Sequence, residues 1–72
     1  MKPILIITDN YGNISKFRNA PKSLKDIEKQ LQNTTDWKRA EYYPNYGSQD
    51  SFIFHSYGIG FTMYKVNHSP QN

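Results

Sequence analysis

Apolar residues recur along this chain with three different periods, and each period predicts a different element. Ile4, Leu5, Ile6 and Ile7 run without a break into Thr8, the pattern of a strand covered on both faces and so interior to its sheet. Leu24, Ile27 and Leu31 recur at helical spacing and make one narrow stripe, with Lys25, Glu28, Lys29 and Gln32 on the outside. From Ser51 to Val66 apolar and polar positions alternate about a Gly58-Ile59 reversal. A two-residue type II′ turn with Gly first pairs Ser51–Tyr57 with Gly60–Val66. In that register Phe54 opposes Met63, Phe52 opposes Lys65 and Ser56 opposes Phe61. Phe52, Phe54, Phe61 and Met63 then form the inner face, and Ile53, His55, Tyr57, Thr62, Tyr64 and Val66 the outer one. A slip of one residue would exchange the two faces.

The punctuation between these elements is equally specific. Asp9-Asn10-Tyr11-Gly12-Asn13 is turn chemistry, with Gly12 suited to positive φ, so residues 13–18 should return antiparallel. Ile14 and Phe17 fall on opposite faces of a regular strand, which predicts a bulge or an edge position there. Pro21 ends that strand. Ser23 with Asp26 three residues later marks a helix start, and Asn33 its end. Trp37–Tyr43 (WKRAEYY), aromatic at its ends and charged in its middle, reads as a strand stopped by Pro44, with a polar loop over residues 45–51. The predicted order is ββαβββ: an α+β domain with a mostly antiparallel sheet, one helix packed on one face and the other face open. Residues 1–66 make the domain and 67–72 (NHSPQN) a flexible tail.

Composition narrows the chemistry. A chain of 72 residues supports one core. It carries no cysteine, which removes disulfides, thiolate catalysis and Cys-based zinc sites and favours a reducing, cytoplasmic setting. The four-residue apolar run at Ile4 is far short of a membrane span or a signal-peptide core. Two histidines, His55 and His68, are too few to suggest a metal site, so neither metal nor cofactor is expected. Ser51, Ser56, His55 and Asp50 are close in sequence, but neighbours on a strand point to opposite faces and make no triad. The Gly58-Ile59-Gly60 segment lacks the strand-then-helix setting of a phosphate loop. No catalytic residue is assigned, and the chain reads as non-enzymatic.

What remains is recognition. Aromatics make up 15% of the chain, and Tyr and Trp are the residues with which proteins grip one another. The expected partner-binding set is Tyr57, Tyr64 and His55 on the outer hairpin face, with Trp37, Tyr42, Tyr43 and Tyr46 about the Pro44 loop. Such a module acts as an inhibitor or adaptor that occludes a partner's functional surface. The plentiful Lys, Asn, Ile and Tyr match products of AT-rich genomes, among them phage-encoded inhibitors of host machinery. The alternative is a small RNA- or DNA-binding protein that stacks bases on the tyrosines, with Lys16, Arg18, Lys38 and Arg39 contacting phosphates. Its net charge of +3 is low for that task. An edge strand could also recruit a second copy of the chain to form a homodimer.

Overall fold

The computed structural model of the protein describes residues 2–45 and 50–68. Strands β1 (Ile4–Asp9) and β2 (Ile14–Phe17) precede helix α1 (Leu24–Gln32), and β3 (Trp37–Tyr43), β4 (Asp50–Tyr57) and β5 (Gly60–Asn67) follow it. The strands form one sheet in the order β2-β1-β3-β4-β5, with every neighbouring pair antiparallel. This is the ββαβββ α+β architecture that the periodicities imply. β1 is interior, as its unbroken apolar run requires, and β2 is an edge strand with all its residues exposed.

Local chemistry sets the boundaries. Asp9 folds the β1–β2 turn about its own carboxylate, which accepts the backbone N–H of Tyr11 and of Asn13, each at 2.8 Å, while Gly12 adopts φ +88°. Ser23 caps the helix, its Oγ accepting the Asp26 N–H at 3.2 Å. At the other end Thr34 Oγ1 donates to the Gln30 carbonyl at 2.7 Å, and the Trp37 indole donates to the Leu31 carbonyl at 3.1 Å. Carbonyls that a helix leaves orphaned at its C-terminus are thereby satisfied from the connection and the first residue of the strand that follow.

The core lies between α1 and the middle of the sheet. Leu5, Ile7, Ala40, Tyr42 and Phe54 meet Ile27 and Leu31 there, with Trp37 and Ala20 at the margins and Leu24, Phe52 and Phe61 partly buried against them. Phe61 meets Phe54 edge-on at 5.6 Å and Trp37 at 5.8 Å between ring centroids, so the aromatics interlock across β3, β4 and β5. Tyr42 is buried at 1% exposure, yet its hydroxyl donates to the Pro21 carbonyl at 2.7 Å and ties the helix approach to the sheet. Burial, assisted by the negative charge of Asp26, pushes that phenol above its ordinary value.

The hairpin register is the one derived from the Gly58-Ile59 turn: Phe54 opposes Met63, Phe52 opposes Lys65, Ser56 opposes Phe61, and Tyr57 meets Gly60 across the reversal. Two positions depart from the expected sorting. Met63 shares the helix-facing side but is 38% exposed. A helix about 10–12 Å wide cannot span five strands spaced about 4.8 Å apart, so the outermost strand is left uncovered. Ile53 lies on the outer face as derived, yet it is 4% exposed. Its cross-strand neighbours Glu41 and Tyr64 stand on either side of it and fill that part of the face.

Gly58 has φ +58°, and no atom lies within 4 Å of where a Cβ would stand. Gly58→Ala should therefore destabilise through backbone conformation alone, by about 1–2 kcal/mol. Gly60, equally unobstructed and without positive φ, should tolerate Ala with little change. Urea unfolding of the two variants checks the contrast.

Candidate functional site on the helix-free sheet face

Strand alternation sends one set of side chains away from α1. By register these are Ile14 and Lys16 on β2, Ile4, Ile6 and Thr8 on β1, Arg39, Glu41 and Tyr43 on β3, Ser51, Ile53, His55 and Tyr57 on β4, and Thr62, Tyr64 and Val66 on β5. Ile4, Ile53 and Ser51 are buried among them, so this face has a small apolar floor beneath polar and aromatic groups.

Three of these groups form a connected line along β3. Glu41 accepts a hydrogen bond and ion pair from Arg39 through one carboxylate oxygen, and through the other accepts the Tyr43 hydroxyl at 2.8 Å. Partial burial of Glu41 works to raise its pKa. The hydrogen bonds from Tyr43 and Arg39, with the positive charge of Arg39, outweigh it and hold the carboxyl below its ordinary value. The Tyr43 ring also stacks with His68, at 6.3 Å between centroids, and His68 Nε2 lies 2.8 Å from Ser51 Oγ. On the hairpin, His55 and Tyr64 stack at 5.7 Å with rings 15° apart, the His55 Nε2 standing 3.3 Å from the Tyr64 hydroxyl.

The face therefore gathers Tyr43, His55, Tyr57 and Tyr64 from the expected partner-binding set. Tyr57 is 61% exposed at the end of β4 and Tyr64 47% on β5, whereas Tyr43 is half-buried and committed to Glu41. Trp37 and Tyr42 do not join them. Both are buried on the helix side. For Tyr42 this follows from simple alternation, since it opposes Leu5 and Phe52. For Trp37 the cause is a bulge. The β1–β3 register shifts between Thr8 and Asp9, leaving Lys38 as the extra residue, so Trp37 turns to the same side as Ala40. Tyr46 lies outside the described residues, as do residues 69–72 of the expected tail.

The basic residues are not collected into a track. Lys16 is on the open face of β2 and Arg39 is bound to Glu41, while exposed Lys38 sits at the bulge and exposed Arg18 follows β2 near the opposite end of the sheet. The residues whose sequence proximity raised the idea of a triad do not assemble into one. Ser51 pairs with His68, not His55, and Ser51 is completely buried. Among the described residues no three His, Asp or Glu side chains converge to hold a metal ion, and no helix is long and apolar enough to cross a membrane.

The Arg39–Glu41–Tyr43 line and the His68–Ser51 contact are absent from the expected set. Alternation alone could have found the line, because residues 39, 41 and 43 share one strand face with complementary chemistry. Comparison with protein-family models, curated proteins and solved structures found no match.

The lowered Glu41 pKa gives a pH dependence of defined sign. In the folded protein the carboxyl holds its charge below the ordinary value of 4.5, so on acidification the unfolded chain takes up the proton first. The stabilising contribution is complete above 4.5 and is lost as pH falls through the lower folded value. Asp9, held low mainly by the Asn13 N–H, adds a share of the same sign. Urea unfolding between pH 3 and 7 should show a shallower acid decline for Glu41→Gln than for the parent. An unchanged gap between the two across that range contradicts the assignment.

Proposed function

We propose that this protein is a non-enzymatic binding module for another protein, acting as an inhibitor or adaptor by covering a functional surface of its partner with the β4–β5 hairpin and the adjoining open face. The observation that carries this reading is where large apolar side chains stay exposed. They fall into two groups, of which the larger, Tyr57, Ile59, Met63 and Tyr64, stands on this hairpin with Ile59 wholly exposed at its tip, while Tyr11, Ile14 and Phe17 stand on the β1–β2 hairpin at the other edge. Rigid aromatic side chains on a paired strand offer contact area at small entropic cost, which is how recognition surfaces obtain affinity. The hairpin is also well anchored, since Phe54 and Phe61 on its reverse side are locked into the core.

A phosphate-binding role draws less support. Lys38 and Arg18 stand at opposite ends of the sheet, and the Arg39 charge is answered by Glu41.

The test is affinity capture from native lysate using the parent chain and a Tyr57→Ala/Tyr64→Ala variant, with and without nuclease. Both side chains are exposed, so the variant should fold normally by circular dichroism. Two truncations of more than 1 kcal/mol each imply a loss of partner affinity of roughly thirtyfold. Retention of the protein partner after nuclease is expected, and release by nuclease would overturn the reading in favour of nucleic acid.

A further inference from the structure

We propose that β5 is a docking edge for a second copy of this chain, the two β5 strands pairing antiparallel about a twofold axis that passes Tyr64. The inference is independent of the partner proposed above.

Natural sheets protect their edges with short strands, charges, prolines or bulges. The two edges here differ. β2 is four residues long and carries Lys16. β5 is eight residues long, Gly60–Asn67, and its register with β4 runs from end to end without a bulge. It holds no proline and a single charge, Lys65, whose Nζ lies 3.5 Å from Asp50 of the same chain. Among the described residues no element lies beyond it.

The backbone direction of β5 follows from the turn. Tyr57 and Gly60 close a two-residue reversal and are a hydrogen-bonded pair, so the alternate residues Thr62, Tyr64 and Val66 bond to β4. The N–H and C=O groups of Phe61, Met63 and Lys65 consequently point outward. An antiparallel partner strand must align with these, and residues that oppose each other must share a face. Symmetry then leaves two central registers, one on Met63 and one on Tyr64.

The Tyr64 register matches side chains better. Tyr64 opposes the partner's Tyr64, Thr62 opposes the partner's Val66, and Met63 lies across from the partner's Lys65. Aromatic and β-branched pairs are the favourable cross-strand combinations. The Met63 register would instead set Gly60 against the partner's Val66. In the chosen register no like charges meet, because the lone cation of the strand faces a methionine. This self-complementarity makes a second copy, rather than an unrelated strand, the fitting occupant. Pairing also sets the exposed Tyr64 and Met63 rows of two copies side by side, one on each face of a continuous ten-stranded sheet.

The chain has no cysteine, so Tyr64→Cys introduces a lone thiol. Directly opposed residues of a non-hydrogen-bonded pair have Cα atoms about 4.5 Å apart, within disulfide range. Mild oxidation of purified Tyr64→Cys should give a covalent dimer. Thr62→Cys, whose twin lies four residues along at about 13 Å, should cross-link at least tenfold more slowly. The parent chain should sediment at twice its 8.5 kDa mass. Met63→Pro, which removes an outward N–H and spares the bonds to β4, should sediment as a folded monomer. A parent chain that stays monomeric at several hundred micromolar overturns the proposal, and so does equal cross-linking of Tyr64→Cys and Thr62→Cys. Failure of the parent chain to capture any protein from lysate, with the dimer intact, would refute only the proposed function.

Discussion

One short helix has to serve five strands, and most of this structure follows from that mismatch. Nine residues of α1 make a rod about 13 Å long and about 10 Å across, while the outer strands of the sheet stand about 19 Å apart. The helix settles over β1, β3 and β4, where Leu5, Ile7, Ala40, Tyr42 and Phe54 meet Ile27 and Leu31. Both edge strands are left without a roof. Phe17 on β2 and Met63 on β5 point to the helix side by register and remain 44% and 38% exposed. The protein thus keeps a compact central core and two apolar margins, and the longer margin adjoins the tyrosine-bearing face.

The sheet surface away from the helix meets the opposite problem, since among the described residues no helix or second sheet packs on it. It is covered by its own side chains. Arg39, Glu41 and Tyr43 lie along β3 as a hydrogen-bonded line, His68 stacks on Tyr43, and His55 stacks on Tyr64. Beneath them Ile4, Ile53 and Ser51 are nearly or fully removed from water. Arg39, Glu41, Tyr43, Ser51, His55 and Tyr64 each have a polar partner at this surface, which lets a flat face remain both ordered and wettable.

Much of this was legible in the residues, and the failures have definite causes. Period-two alternation about Gly58 yields the β4–β5 register residue for residue, and Ser23 with Asp26 marks the helix start. The sorting of Trp37 was not legible, because strict alternation from Glu41 and Arg39 puts it on the open face and the bulge at Lys38 reverses that. Bulges carry no side-chain signal of their own here. Met63 was misjudged for a different reason, since alternation tells which way a side chain points but not how far the opposing layer reaches. His68 is a third case. Its neighbours in sequence are polar, and its contacts with Ser51 and Tyr43 come from residues distant in the chain.

The indole of Trp37 closes the C-terminal end of α1 from the first position of β3, and this has a kinetic meaning. The last turn of the helix is completed by a group that reaches its place only when β3 has joined the sheet and the chain has bulged at Lys38. A nine-residue segment is too short to hold its own conformation in water. Helix and central strand should therefore consolidate in a single event instead of one templating the other, and the chain's lone tryptophan stands at the joint where that event is completed.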